Sequence, residues 1–393
     1  MPQHPSTTNI RTALRTLWPL FAAVAAFVAA GSLQNALVAY DLAQAGASSL
    51  MTGVVMSAYF AGFLLGAYTA PRLAARLDLA RLFLIITALY APCTALFALA
   101  GNMLPGLIVL QIATGFGIAC QYVVIESWLN LEANSSYRAR LFGTYMFFWF
   151  FGAGGGPLLI GLHPIGHEPL FLLAAGLVAF SGLMLHRLKD KAWRGAISLP
   201  MPLRPVLEAS PSGFCATLLV GVSFGAVLGL TAAYGQHNGL SPTETSFFVA
   251  AFIFGGGLTQ YMAGALSDRL DRRLVLTVFT FLAALSALLL LAANTKLGVM
   301  ACATAFGAFA LPIYALAVAQ IQDSVAEDRR IATSGGLLIL NGFGSFIGPL
   351  VVGGMSGWWG DAALFITLAL VHSAIGGIYL CRLLVRRLRP VAV

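Results

Sequence analysis

Two carboxylates stand inside long apolar stretches, where a charge needs either a partner or a task. Glu126 follows Gln111, Gly115 and Tyr122 at spacings that set all four within about 60° of one another on a helix. Asp41 shares a helical face with Gln34, seven residues before it. A charged side chain within a membrane-spanning helix costs about 2–3 kcal/mol at the centre and less toward an end. Glu126 therefore has two readings. It takes up and releases a coupling proton, or it pairs with Arg138 or Arg140 and steadies a helix end. Its place near the end of its apolar run favours the pairing. Asp41 is a second candidate for proton coupling. Tyr122 in the same run, and Tyr234, Tyr314 and Asn341 inside other apolar runs, add uncharged hydrogen-bonding groups, with Phe224, Phe306, Phe309, Tyr145, Trp149, Phe343 and Phe346 around them. This is the chemistry of a pocket for an aromatic or amphipathic solute. No Ser/His/Asp set, paired intramembrane carboxylates or metal-ligand spacing accompanies it, so an enzyme is not indicated and neither a metal nor a cofactor is expected. The ten methionines show no soft-metal spacing.

The elements that must hold these residues follow from composition. Of 393 residues, 59% are apolar and 9% charged, against about 25% charged in a soluble domain. A chain with so few charges cannot cover its own surface in water. The net charge of +8 is scattered in small clusters between apolar runs, which argues against a nucleic-acid face. The five cysteines show no CxxC spacing and read as free thiols. No small-residue cleavage site precedes the first apolar run, which reads as a retained helix. Twelve such runs cover roughly 17–40, 50–71, 81–100, 106–130, 141–162, 169–187, 211–234, 244–266, 274–293, 297–322, 332–353 and 362–385. With the N-terminus in the cytoplasm, every basic residue of the 22 except Lys296 falls on the inner side. Both termini are then cytoplasmic.

The polar stretch 187–210, rich in Lys, Arg and Pro, divides the chain into six-helix halves at 1–186 and 211–393. The halves are repeats. Arg138, Gly143, Gly152, Gly156, Pro157 and Gly161 recur 192 residues later as Arg330, Gly335, Gly344, Gly348, Pro349 and Gly353. Gly62, Arg76, Leu77 and Asp78 recur 193 residues later as Gly255, Arg269, Leu270 and Asp271. A parallel repeat of this kind places a site near the bilayer midplane, between halves that rock against each other.

The loop Gly264-Ala-Leu-Ser-Asp268-Arg269-Leu-Asp271-Arg272-Arg273 resembles the cytoplasmic signature of the major facilitator superfamily. Its first-half copy keeps Arg72, Arg76 and Asp78 but has Pro71 and Ala75 where Gly264 and Asp268 stand. These charges can latch helix ends of the facing half, and Asp268 is expected to approach Arg138 and Arg140 near the fifth helix, with Arg330 as the repeat of Arg138. Gly152 to Gly161 resembles the superfamily's glycine–proline signature and reads as close helix packing. Glu126-Ser-Trp-Leu-Asn130, Tyr59-Phe-Ala-Gly62, Gly256-Gly-Leu-Thr-Gln260, Gln322-Asp323 and Gly348-Pro-Leu350 resemble the YcaD-like branch of the superfamily.

The resemblance implies a twelve-helix major facilitator fold in a bacterial inner membrane, all-α, with helices 1, 4, 7 and 10 bordering a central cavity. Gln34, Gln111, Tyr122, Tyr234, Tyr314 and Asn341 are then candidate solute contacts. The expected function is alternating-access transport of a small amphipathic or aromatic solute by a monomer, with protons as coupling ion and export ahead of nutrient import. A non-transporting sensor ordinarily has an appended soluble domain, and a channel does not need the 6+6 repeat.

Overall fold

The computed structural model describes residues 10–101, 103–133, 137–188, 201–326 and 329–388. Twelve helices of 20 residues or more run through them. They are α1 (Ile10–Gln44), α2 (Ser49–Arg76), α3 (Leu79–Ala100), α4 (Leu104–Glu132), α5 (Arg138–Leu158), α6 (His167–His186), α8 (Pro211–His237), α9 (Pro242–Arg269), α10 (Arg272–Ala292), α11 (Lys296–Gln322), α12 (Arg330–Trp359) and α13 (Ala363–Leu388). A short helix, α7 (Leu203–Ala209), precedes α8. No strand is present among the described residues.

The helices reach a few residues beyond the apolar runs because polar residues cap them. Ser48, Ser210, Ser241 and Thr295 each accept a backbone N–H of the first turn, and Ser241 and Glu244 form a reciprocal capping box. By length and composition alone, 54 residues from Ala332 to Val385 form one continuous apolar segment. That is far more than the ~20 residues needed to cross a bilayer. Gly360, at φ +55°, breaks it into α12 and α13, a conformation that favours glycine. α5 ends sooner than its apolar run, passing after Pro157 into a 3-10 turn at Leu159–Ile165.

The pairing order recurs along the chain. α1 packs on α5, α2 on α4 and α3 on α6, and then α8 on α12, α9 on α11 and α10 on α13. Glycines allow the close crossings. A Cβ on Gly156 would run into the Ala29 carbonyl of α1, and one on Gly348 into the Val222 carbonyl of α8. Gly62 and Gly115 do the same for α2 and α4, as Gly255 and Gly307 do for α9 and α11.

Successive helices alternate in direction, so the arginines at their ends gather at one end of the bundle, called here the basic mouth. The first six and last six long helices touch through α2 on α12, α5 on α9 and α1 on α8. These contacts lie from the opposite mouth down to about mid-bundle. Gly353 meets Leu50, Ser57 donates to the Phe346 carbonyl at 2.8 Å, Gly161 faces Thr243, and Gly154 packs on Phe254. The largest apolar core cluster joins both sets there, bringing Ala232, Ala233, Val249 and Ile253 against the first six helices. The bundle is thus sealed at the opposite mouth. Of the stretch 187–210, residues 201–210 are described. Met201 donates its N–H to the Ala332 carbonyl at 2.8 Å and Val206 is buried. Lys189, Lys191, Arg194 and Pro200 lie outside the described residues, as does Arg389.

Candidate functional site

α4 presents Tyr122 and Glu126 one turn apart, and α5 presents Tyr145 and Trp149 at the same spacing. The two helices meet in two rungs. The Tyr145 hydroxyl donates to Glu126 Oε1 at 3.2 Å, and Trp149 Nε1 donates to the Tyr122 hydroxyl at 3.0 Å. The Tyr122 ring rests edge-on against Phe27 of α1 at 5.3 Å and Phe63 of α2 at 6.3 Å. Tyr314 of α11 faces this group from the last six helices, close enough for the Glu126 charge to act on its hydroxyl. Tyr122, Glu126, Trp149 and Tyr314 are half-buried. Glu126 makes no ion pair among the described residues. Arg138 donates instead to Asn130 Oδ1 at 2.7 Å, and Arg140 is exposed.

The remaining candidate solute contacts lie elsewhere. Gln34 and Gln111 are fully buried and turn toward each other. Gln34 Nε2 donates to Gln111 Oε1 at 3.1 Å and to the Thr114 hydroxyl at 2.9 Å, while the Thr94 hydroxyl donates to Gln34 Oε1 at 3.3 Å. Gln111 Nε2 reaches Asn35 Oδ1 at 3.4 Å. This closed amide network ties α1 to α3 and α4, and its members spend their hydrogen bonds on one another. Asn341 of α12 donates to the Thr217 carbonyl of α8 at 3.2 Å. Tyr234 packs at the opposite mouth against Phe365 and Phe248, with ring centroids 4.7 and 5.8 Å away.

Several known proteins share this fold. A family model described as "Major Facilitator Superfamily" matches residues 20–208 and 213–392. The chain belongs to the Major Facilitator Superfamily. Relatives described as "Uncharacterized MFS-type transporter YcaD", from Salmonella arizonae and Salmonella newport, are 27% identical over 89% of this chain and 90% of theirs. A crystal structure of a variant of the nucleoside transporter NupG superposes with a TM-score of 0.75 at 13% identity, over 93% of this chain and 98% of that one. A POT family transporter in complex with a thioalcohol-conjugated peptide gives 0.74 at 13%, over 94% and 96%. These likenesses show the fold. The protein is a multi-pass secondary transporter acting on a small molecule, and not an enzyme.

In this superfamily member several of the signature charges at the basic mouth pair within their own set of helices. Asp268 lies 3.9 Å from Arg272 one turn along, and Arg272 also bonds to Asp323 at the end of α11. Asp78 accepts the Arg81 N–H at 2.8 Å and caps α3; Asp271 accepts the Arg273 N–H at 2.9 Å and caps α10. Arg72 donates to the Tyr68 carbonyl and stacks on that ring at 3.9 Å. Arg76 and Arg269 are exposed at the ends of their helices, and the Arg330 carbonyl accepts from Gln322 at 2.9 Å.

At the opposite mouth His163 Nε2, in its Nε2–H form, donates to Asp41 Oδ1 across 3.1 Å, and the Tyr40 ring lies 5.1 Å from the imidazole. A matching pair, His237 Nδ1 and Asp361 at 3.1 Å, stands on the last six helices. Sequence reasoning named neither pairing. A cleft of about 280 Å³ beside Asp41 and His167, and one of about 220 Å³ among Arg272, Arg273 and Arg382, lie at helix ends away from Glu126.

Proposed function

We propose that this protein is a proton-coupled antiporter that exports a small aromatic or amphipathic solute across a bacterial inner membrane. It acts as a monomer with both termini in the cytoplasm. Two six-helix halves, 1–186 and 211–393, rock about the sealed mouth, with 187–210 as the cytoplasmic linker; the repeated pairing order and repeated glycine crossings support this division. The basic mouth is the cytoplasmic one by the distribution of arginine and lysine. A bundle sealed at the far mouth loads solute from the cytoplasm.

One observation carries the coupling: the Glu126 carboxylate sits half-buried among phenols and an indole, with one hydrogen bond and no counter-ion among the described residues. A carboxylate so placed is neutral in one state and charged in another as water access changes, which is what a proton carrier requires. Tyr122, Tyr145, Trp149 and Tyr314 line the solute position.

The test begins with a thermal-stability screen of the purified protein against lipophilic cations, flavins, aromatic acids, siderophores and sugars, with Tyr122→Ala as control. A ligand of the folded state raises the midpoint by mass action. Stabilisation by aromatic compounds, lost in Tyr122→Ala, is expected. Stabilising compounds then go to proteoliposomes under an imposed pH gradient. Glu126→Gln is expected to abolish the pH dependence of transport, while Val318→Gln, at the repeat position of Glu126 on α11, keeps it. An unchanged pH profile in Glu126→Gln overturns the coupling role, and stabilisation by a sugar alone overturns the aromatic solute.

A further inference from the structure

We infer that the solute bound beside Glu126 is an organic cation, and that cation and proton exclude each other at this one carboxylate. The inference rests on the solute position proposed above and adds the sign of its charge.

The groups around Glu126 are what decide the sign. From α4 comes Tyr122, from α5 Tyr145 and Trp149, and from α11 Tyr314. All the titratable ones are phenols, neutral near pH 7. The arginines on the neighbouring helices are spent or displaced. Arg72 lies on Tyr68, Arg81 on Asp78 and Arg138 on Asn130, while Arg11, Arg15, Arg76 and Arg140 are exposed at the helix ends. The site therefore holds one acid and aromatic faces, and among the described residues no base close enough to neutralise the acid.

A half-buried carboxylate in that setting reaches neutrality in two ways, by taking a proton or by taking a cation. An anionic solute would face an uncompensated like charge. A neutral solute would leave the carboxylate without a counter-charge unless it were protonated throughout the cycle. A cation with an aromatic or aliphatic body satisfies both the charge and the ring faces, with the indole as the strongest π surface. The two hydrogen-bonded rungs pin the Tyr145 hydroxyl and the Trp149 ring, so the ring faces are held in place before binding. A divalent metal is a poor fit. Among the described residues no group of three His, Cys, Asp or Glu side chains could hold one.

Competition for one carboxylate sets the balance. Each monovalent cation that binds the protonated site releases one proton, so an exchange cycle moves no net charge. The decisive probes are tetraphenylphosphonium and tetraphenylborate, which share a shape and differ in sign, with benzyltrimethylammonium as a smaller cation. Binding to the purified full-length protein is measured by calorimetry in buffers of different ionisation enthalpy, which counts released protons.

The expected result is binding of at least one of the two cations and none of the borate. Over the range where Glu126 is protonated, cation affinity should weaken about tenfold for each pH unit lowered, with one proton released per cation. Glu126→Gln should weaken binding about tenfold or more and end proton release. Glu126→Asp, which keeps the charge, should retain both and so guards against a variant that merely misfolds. Equal binding of phosphonium and borate would overturn the proposal, as would silence of both cations at high pH, or cation binding unchanged in Glu126→Gln. Loss of pH-dependent transport in Glu126→Gln with no cation binding would sink the cation and leave proton coupling standing. Cation binding that depends on Glu126 but releases no proton would uphold the sign of the solute's charge and sink the competition together with the coupling role.

Discussion

The first six long helices and the last six are built on one plan and carry different chemistry. Tyr122 recurs 192 residues on as Tyr314, but at the same spacing Glu126 becomes Val318, Tyr145 becomes Leu337 and Trp149 becomes Asn341. The replacements go into packing. Val318 and Leu337 join a small apolar cluster with Ile321 and Leu340, and Asn341 spends its amide on the Thr217 carbonyl. The acid, its hydrogen-bonding phenol and the indole all stand on one side of the bundle. What recurs is the scaffold: glycine crossings, an Asp–His pair at the sealed mouth, and aspartate caps at the basic mouth. A repeat that keeps its packing is free to vary the residues that face the solute, because they bear little of the fold.

The glycine crossings are the strictest test of that equivalence and carry the largest expected effect. Gly156→Ala drives a methyl into the Ala29 backbone and Ser32, and Gly348→Ala does the same against Val222 and Ala226. Backbone cannot give way as a flexible side chain can, so each change should cost about 1–3 kcal/mol or more by overpacking. Both variants should lower the unfolding midpoint in detergent by similar amounts. Gly155→Ala, between two crowded glycines but with nothing within 4 Å of its would-be Cβ, should be neutral or stabilising by up to about 1 kcal/mol, since alanine is the better helix former. A large loss at Gly156 with none at Gly348 would break the comparison.

The pairs at the sealed mouth are next in size and sharper in kind, because the two sets use them in opposite order. In the first six helices the acid, Asp41, ends α1 and His163 follows α5; in the last six, His237 ends α8 and Asp361 follows α12. Each ties the tip of one helix to the turn beyond its packing partner. Either single change, Asp41→Asn or His163→Ala, should cost about 1 kcal/mol, the range for a partly exposed pair. The exchange of the two residues, Asp41→His with His163→Asp, reproduces the order already used by the other set. It should recover most of that loss, with a coupling of about 0.5–1 kcal/mol in a double-mutant cycle on the unfolding midpoint. No recovery would mean that the two pairs only look alike.

How far the sequence could be read differs between these levels. The twelve helices were legible because a bilayer demands long apolar runs and the basic loops separate them. The crossings were legible because glycines kept at one fixed offset mark places where no Cβ fits. The stripe of Tyr122 and Glu126 was legible from helical spacing along one element. The favoured sequence reading paired Glu126 with Arg138 or Arg140, yet Asn130 takes the Arg138 guanidinium and Arg140 is exposed. Gln34 and Gln111 share the signature of cavity residues, since helical periodicity cannot distinguish an amide facing water from one facing another amide. Their contact spans 77 positions and involves a third helix through Thr94 of α3. Asp41 and His163 are hidden for the same reason: the partner is fixed by the crossing of α1 with α5, not by distance along the chain.

The smallest expected effect separates two roles for the aspartates at the basic mouth. Asp78 and Asp271 come directly after extended residues, Leu77 and Leu270, and accept N–H groups of the next helix at 2.8 and 2.9 Å. An N-cap needs a short side chain with an acceptor oxygen, and asparagine serves as well as aspartate; a latch across the mouth needs the charge. Asp78→Ala and Asp271→Ala should therefore each lower stability by about 1 kcal/mol, and Asp78→Asn and Asp271→Asn by a few tenths at most. Measured side by side, equal responses to Ala and none to Asn would make these residues hinges of the helix hairpins in both sets. A loss of transport in Asp271→Asn with stability intact would instead give that one aspartate a charge-dependent role in closing the mouth, and would add the basic loops to the features that the two sets do not share.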